Sequence, residues 1–221
     1  MKVIPWEVRK QSPITNSRFI RELRKRLSLS AFQKRVLIGT LLGDGCLTPN
    51  AYGKNYRLQI VHGKKQREYL FWKYKIFKEW VLSKPKFILR TQAWKFRTVS
   101  HPEFTTWQRK FYKGKRKILP KDIEKFLRDP LILAVWFMDD GGKMRDKNRE
   151  YGNLLNVQKF PLEDVVRLQE ILLKNLNLPT TRQWNNRGYR IYLGRKYCRR
   201  FNSLIAKYIL PTFKYKLILT P

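Results

Sequence analysis

The feature that most constrains this chain is a repeat of two apolar segments, each of which ends in Asp-Gly. The first covers residues 37–45 and carries Asp44, and the second covers residues 133–141 and carries Asp140, so the two acids lie 96 positions apart. Self-similarity at a fixed spacing indicates repeated structural units. The 221-residue chain is therefore expected to consist of two similar halves, each with its own copy of the segment.

We place the first half at residues 30–120 and the second half at residues 129–221, preceded by a basic N-terminal arm at residues 1–29. No low-complexity linker separates the halves. The last part of the arm, from Arg18, is expected to be helical. A chain of this length should bury roughly 70% of the surface that it exposes when unfolded, which is enough for a substantial core.

Both apolar segments are predicted to be helices with marked ends. Ser30 followed by Gln33 fits a capping box, and Asp129 before Pro130 provides an N-cap with proline at the first helical position. Glycines end both runs. Because the helices are apolar nearly all round, we expect them to be buried.

The charge of the chain indicates its partner. There are 49 Lys and Arg residues against 16 Asp and Glu residues, which gives a formal net charge of +33. A polyanion relieves this self-repulsion most simply, so nucleic acid is the expected partner. No run of 18 apolar residues occurs, so we expect no membrane partner. Two cysteines and two histidines without ligand spacing exclude a zinc module.

The scarcity of acids makes the paired aspartates informative. One Asp at a helix C-terminus can be explained as an incidental acid on a core helix. Its unfavourable interaction with the negative end of the helix dipole costs about 0.3–1 kcal/mol. Two copies call for a compensating cation. If Gly39 and Ala134 let the helices pack closely, Asp44 and Asp140 meet at one end. Carboxylates without histidine suit Mg²⁺, and a hard metal within a polycation favours phosphodiester hydrolysis.

The paired segments resemble the motifs of LAGLIDADG homing endonucleases in their single-chain form, and residues 133–143 are the most specific part. The resemblance implies an α/β (α+β) fold with a pseudo-two-fold αββαββα repeat. Two antiparallel, saddle-shaped sheets would lie over DNA, and the two motif helices would pair at the centre.

The same resemblance implies the roles of the motif residues. In the family, the last acid before the glycine ligates the catalytic metal, which carries over to Asp44 and Asp140; the backbone carbonyls of Gly43 and Asp139 are further candidate ligands. Mn²⁺ is expected to substitute for Mg²⁺. The sequence departs from the family pattern at three positions that concern helix packing rather than chemistry, namely Leu42, Val135 and Met138.

The family also places a lysine near each scissile phosphate, and the segments around Lys117 and Lys216 resemble those sites. The spacing from each motif acid is similar, 73 residues from Asp44 to Lys117 and 76 residues from Asp140 to Lys216. A lysine there stabilises the negative charge that develops on the phosphate. With 49 basic residues, a chance match is the competing explanation.

Several segments alternate apolar and polar residues, as half-buried strands do: residues 56–62, 94–99, 155–158 and 189–193. Helices are predicted at residues 67–82, 162–176 and 196–209. Polar strand faces can read base edges in the major groove, and lysines contact phosphates. The predicted DNA-binding residues are Arg57, Gln59, Val61, Lys95, Arg97, Lys113, Lys143, Asn156, Gln158, Arg190 and Tyr192. A solvated sheet face is the alternative for each of them.

The sequence thus predicts a monomeric, metal-dependent endonuclease that makes a double-strand break in a long asymmetric DNA site and promotes intron homing. Double-stranded DNA is the main partner, and the protein's own intron RNA is a further candidate. By family resemblance the protein is expected inside cells, in a mitochondrion or chloroplast. Two alternatives stay open on the same fold: an RNA-binding intron maturase and a catalytically silent DNA-binding regulator.

Overall fold

A computed structural model describes residues 18–50, 53–147 and 149–218. Residues 1–17 of the predicted arm therefore lie outside the described residues, whereas its last part forms a helix that begins at Arg18, as expected. None of the helices in the described ranges combines the length and the apolar character that crossing a bilayer requires.

The chain divides into two compact units. Among the described residues, the first unit comprises residues 18–34 and 44–109, and the second unit comprises residues 35–43 and 110–218. Most of the first motif helix therefore groups with the second unit, together with the whole of the second motif helix.

The first part of the chain builds one antiparallel four-stranded sheet in the order β1-β2-β4-β3. Leu58 and Ile60 of β2 face the core together with Leu70 of the following helix. The elements are α1 (Arg18–Lys25), α2 (Ala31–Leu42), β1 (Cys46–Pro49), β2 (Tyr56–Gly63), α3 (Arg67–Phe77), β3 (Lys86–Ile88), β4 (Ala93–Arg97) and α4 (Pro102–Phe111).

The second part repeats this pattern, with a four-stranded antiparallel sheet in the order β7-β8-β10-β9. A short hairpin of β5 and β6 precedes it. The elements are β5 (Tyr112–Lys113), β6 (Arg116–Lys117), α5 (Ile123–Phe126), α6 (Pro130–Asp140), β7 (Gly141–Asp146), β8 (Arg149–Asn156), α7 (Leu162–Leu176), β9 (Thr181–Trp184), β10 (Tyr189–Gly194) and α8 (Arg195–Ile205).

The two sheets have the same strand order, so the internal repeat that the sequence indicates is present in the fold. Short 3₁₀ turns extend α3 and α8 at Lys78–Trp80 and Ala206–Tyr208. The predicted strands correspond to β2, β4, β8 and β10, which are the two inner strands of each sheet. The outer strands β1, β3, β7 and β9 were not predicted, because an edge strand is paired on one side only and needs no sustained alternation.

Both predicted helix starts are confirmed. Ser30 and Gln33 form the reciprocal capping box: the Gln33 backbone N–H donates to Ser30 Oγ at 3.1 Å, and the Ser30 backbone N–H donates to Gln33 Oε1 at 3.0 Å. At α6, the Asp129 carboxylate accepts from the Leu131 backbone N–H at 2.9 Å. These hydrogen bonds satisfy donors that the first helical turn leaves without partners.

The motif helices pack closely within the second unit. A methyl group on Gly39 of α2 would lie 2.7 Å from both the Ile132 carbonyl oxygen and the Val135 Cβ of α6. Only glycine permits this approach of the two backbones. Arg35 of α2 adds an ion pair, since its Nη2 donates to Asp129 Oδ1 at 3.0 Å. The Asp129 carboxylate raises the pKa of Arg35 above its ordinary value through this hydrogen bond.

Asp129 therefore caps α6 and holds α2, and Asp129→Ala is expected to lower the free energy of unfolding. Loss of the N-cap costs about 0.5–2 kcal/mol, and the partly exposed ion pair adds at most about 1 kcal/mol. For a chain of this size the expected fall in Tm is about 2–4 °C per kcal/mol. Thermal unfolding by circular dichroism measures it. Asp129→Asn, which keeps the cap acceptor and removes the charge, should lose less, and equal losses would contradict the capping role.

Candidate functional site

The C-terminal ends of the two motif helices meet in the second unit. Gly43 follows the last residue of α2, and a methyl group on it would lie 2.8 Å from Asp139 Oδ2 near the end of α6. Asp139 is buried, with 7% of its surface exposed, and Asp140 is half-buried. The carbonyl dipoles of both helix ends therefore concentrate partial negative charge at this point.

A lysine reaches each helix end. Lys117 of β6 donates from Nζ to the Gly43 carbonyl oxygen at 2.9 Å, and Lys216 donates from Nζ to the Met138 carbonyl oxygen at 2.7 Å. These are the two lysines that the resemblance singled out. Cations at helix C-termini are stabilising, so both ammonium groups offset the charge that gathers there.

The two lysines differ in their surroundings. Lys216 is 8% exposed, its ammonium lies 5.0 Å from the Phe213 ring centroid, and its own carbonyl accepts from Asn153 Nδ2 at 2.9 Å. Lys117 is less buried and lies on a two-residue strand. The Asn153 contact was missed from the sequence, because nothing in the alternation of β8 distinguishes an amide that faces inward.

Lys159 and Asn156 both contact Asp140. Its carboxylate lies 4.0 Å from Lys159 Nζ, and its backbone carbonyl accepts from Asn156 Nδ2 at 2.8 Å. Lys159 was not among the predicted residues, and Asn156 was predicted only as a base reader. The hydrogen bond fixes the backbone at the end of α6, where the motif acid lies.

Asp44 belongs to the first unit, where it is exposed two residues before β1. The candidate ligands of the second unit are the Asp140 carboxylate and the carbonyls of Gly43 and Asp139. In each unit the candidate ligands are hard oxygen donors, which fit Mg²⁺ or Mn²⁺ because these ions take carboxylate oxygens together with phosphate oxygens.

The first sheet places five of the predicted DNA-binding residues on one face, namely Arg57, Gln59, Val61, Lys95 and Arg97. Gln59 pairs across the strands with Arg97, and Val61 pairs with Lys95. Val61 is 39% exposed, in contrast to the buried neighbours on either side of it in β2. Burial lowers the pKa of the Arg57 guanidinium, and the nearby Arg97 cation lowers it further. Two cations held in this way favour an anionic partner.

The second sheet shows a similar row. Asn156 of β8 pairs with Arg190 of β10, and Arg190 pairs in turn with Gln183 of β9, a residue that the sequence did not single out. Gln158, just beyond β8, donates from Nε2 to Asn156 Oδ1 at 3.3 Å. Tyr192 of the same face donates its hydroxyl to the Tyr151 carbonyl at 2.8 Å.

Lys143 does not lie with these residues. It pairs in register with Asn153, which belongs to the buried face of β8, and its ammonium binds Glu150 at 2.7 Å. The Lys143 hydrogen bond lowers the pKa of Glu150. Glu150 therefore holds the Lys143 ammonium away from the row of Asn156, Arg190 and Tyr192, and DNA binding by Lys143 stays a prediction. Lys113 is exposed on β5, next to the turn at Gly114.

Comparison with known proteins adds independent findings. Residues 34–201 match the LAGLIDADG DNA endonuclease family. A probable intron-encoded endonuclease of Wickerhamomyces canadensis is 32% identical over 218 residues, which cover 92% of this chain and 91% of that protein. A cytochrome b mRNA maturase of Debaryomyces hansenii is 29% identical, over 82% of this chain and 72% of that protein.

A solved structure is also similar over nearly its whole length. The homing endonuclease I-WcaI bound to its DNA recognition sequence superposes with a TM-score of 0.85 at 29% identity, over 96% of this chain and 98% of that chain. Because the match covers nearly the whole of both chains, the predicted fold class is confirmed.

Proposed function

Because this chain belongs to the LAGLIDADG DNA endonuclease family, we propose that it uses Mg²⁺, or Mn²⁺ in its place, to hydrolyse one phosphodiester on each strand of its DNA site. The protein is a site-specific DNA endonuclease of the homing type. The metal dependence, the residues that act and the monomeric state are the parts that we propose.

One observation carries the proposal: each motif helix has an aspartate at or just beyond its C-terminal end, and a lysine ammonium lies at each helix end. Asp44 and Asp140 provide the carboxylates that bind the cation, with the carbonyls of Gly43 and Asp139 as further oxygen donors. A divalent cation bound there would supply the charge that neutralises the phosphate and acidifies the attacking water.

The lysines act on the phosphate itself. Lys117 and Lys216 are held at the helix ends by backbone carbonyls, so each ammonium is placed before DNA arrives. A preorganised cation stabilises the charge that develops on the phosphorane, because no reorganisation is needed in the transition state. Asn156 and Lys159 hold the Asp140 end of the second helix in place.

The function is tested by selecting the site and then cutting it. A library of randomised duplexes is enriched for binding in EDTA, and the bound pool is then incubated with Mg²⁺ and sequenced at its cut ends. We expect one recurrent long, asymmetric sequence cut on both strands with short 3′ overhangs, and no cutting in EDTA. Binding without cutting in Mg²⁺ or Mn²⁺ would favour the silent regulator.

The sheet faces are proposed to read the bases. On this hypothesis Gln59→Ala relaxes the preference at one base pair, because Gln59 lies on the exposed row opposite Arg97 and an amide can bind adenine with two hydrogen bonds. Lys113→Ala is the matched contrast: an exposed lysine that contacts phosphate should weaken binding to all sequences equally and lower the salt slope by about 1. Binding to a panel of single-base variants decides between the two. An unchanged profile for Gln59→Ala removes it from the set of readers.

The maturase alternative is supported by similarity to cytochrome b mRNA maturases, at 29% and 25% identity. RNA binding does not require the motif acids, whereas DNA cleavage does, and both acids are present at helix ends. Cytochrome b introns are transcribed and spliced in mitochondria, so we propose that this protein is located in an organelle, either a mitochondrion or a chloroplast. We propose intron RNA as a secondary partner, which gel-shift assays with the encoding intron would test.

A further inference from the structure

A buried polar pair lies between β2 and α3 in the first unit. Lys73 is 0% exposed and His62 is 2% exposed, and the Lys73 Nζ lies 3.4 Å from the His62 Nε2. Both groups pack on Tyr69, whose ring centroid is 4.3 Å from the ammonium and 4.9 Å from the imidazole centroid. Burying a charged side chain in a core costs free energy unless its partners compensate.

The second half of the chain occupies the equivalent positions with apolar residues. Counted from the paired strands β1–β2 and β7–β8, His62 corresponds to Val157. Counted from the first residues of α3 and α7, Lys73 corresponds to Leu168. Val157 and Leu168 are both fully buried. The repeated fold therefore packs well without the polar pair, and its presence in the first half calls for a local reason.

Asp44 supplies that reason. A ring nitrogen of His62 lies within 4.8 Å of a carboxylate oxygen of Asp44, a separation that one bridging water or a small side-chain rotation closes. The contact of 3.4 Å between Lys73 Nζ and His62 Nε2, and the packing of both groups on Tyr69, hold the imidazole ring in place beside Asp44.

We propose that Lys73 and His62 are positioning residues that orient the Asp44 carboxylate for metal binding. Asp44 then depends on a buried polar pair, whereas the equivalent positions of the second half are the apolar residues Val157 and Leu168. The inference rests on the proposed function. Asp140 is instead supported by Lys159 and by the Asn156 hydrogen bond to its own carbonyl. Partners behind a metal ligand fix its orientation, and their removal lowers metal affinity or activity by about 10–100-fold.

The decisive variant is the double substitution His62→Val with Lys73→Leu, which installs the residues of the second half. Replacing buried polar groups by apolar ones is often neutral or stabilising, so Tm should stay equal or rise. Binding of the selected duplex in EDTA should be unchanged. In Mg²⁺, one strand should be cut about 10–100-fold more slowly, and the other at nearly the parental rate.

Two further measurements separate positioning from packing. His62→Gln keeps a polar group of similar reach and should cut the affected strand faster than His62→Val does. A readout without cleavage is the Ca²⁺ titration of fluorescence anisotropy on a labelled duplex, in which the double variant should need about 10-fold more Ca²⁺ than the parent.

Three results would overturn the inference. They are parental cutting of both strands by the double variant, equal rates for His62→Gln and His62→Val, and a general loss of folding and of metal-free DNA binding in both His62 variants. If the parent protein itself cuts no selected duplex in Mg²⁺ or Mn²⁺, the proposed function fails and this inference fails with it. An active parent with an unaffected double variant defeats the inference alone.

Discussion

Asp44→Asn and Asp140→Asn are each expected to abolish double-strand cleavage while DNA binding in EDTA is retained. Each acid follows the apolar run of a motif helix in a chain with 16 acids against 49 basic residues. Losing a carboxylate ligand weakens metal binding at the point where phosphate charge must be neutralised. Removing a negative charge near phosphates should, if anything, strengthen metal-free binding.

The assay is conversion of a supercoiled plasmid that carries the selected site, with gel-shift titration of the same duplex in EDTA. We expect the rate of linear product to fall at least about 10²–10³-fold, the range found when one preorganised electrostatic contact is lost. Asp122→Asn is a matched control, since it makes the same substitution at an acid that pairs with Lys110 and lies outside the proposed site. If specific binding is lost together with cleavage, the motif acids are structural.

Lys117→Met and Lys216→Met are each expected to slow the cutting of one strand more than the other, so that nicked plasmid accumulates. A lost charge contact of about 2.7–4 kcal/mol corresponds to a 10²–10³-fold slower step. Methionine keeps the length and apolar stem of lysine and removes only the ammonium. A time course with each strand end-labelled resolves the two rates.

The two lysines should differ in their effect on stability. Lys216 is buried and donates to the Met138 carbonyl, so Lys216→Met leaves a buried acceptor without this donor, at a cost of about 1–3 kcal/mol. Lys117 is more exposed, and its hydrogen bond to the Gly43 carbonyl is only partly buried. We therefore expect a clear fall in Tm for Lys216→Met and a small one for Lys117→Met.

Lys113→Met is the matched control for Lys117→Met, because it lies in the same hairpin with its side chain exposed. It should weaken binding at high salt and leave the ratio of the two strand-cutting rates unchanged. If Lys117→Met and Lys216→Met both cut both strands at parental rates, these lysines belong to the general phosphate-binding surface and their catalytic assignment is wrong.

The features that could be predicted from the sequence are local. The caps at Ser30 and Asp129, the inner strands and the two motif helices follow from residues that are close in the chain, because capping, turn formation and amphipathic alternation act over a few positions. The repeat of the Asp-Gly segments adds the one long-range inference, that of two similar halves. The outer strands were missed since they carry too few alternating residues.

The candidate site shows the limit of such patterns. Sequence spacing singled out Lys117 and Lys216 only with the help of a family resemblance, and tertiary structure brings each ammonium to a helix-end carbonyl more than 70 positions away. Alternation of apolar and polar residues correctly placed Gln59 on the exposed face, but such alternation does not predict the ion pair between Lys143 and Glu150. A chain with 49 basic residues offers many equivalent candidates, and only the folded neighbours distinguish them.

The sequence by itself determined the inner strands of each sheet, the two motif helices and where these helices begin, and it predicted a polyanionic partner for the two acid-ended copies. Only the tertiary structure decided which lysines lie at the helix ends, which strand residues share the exposed face, and that His62 and Lys73 are buried close to Asp44. The physical reason is the sequence separation over which each interaction acts: hydrogen-bonded turns and hydrophobic periodicity depend on residues only a few positions apart. The environment of a charge is set by atoms that the chain brings together from distant positions.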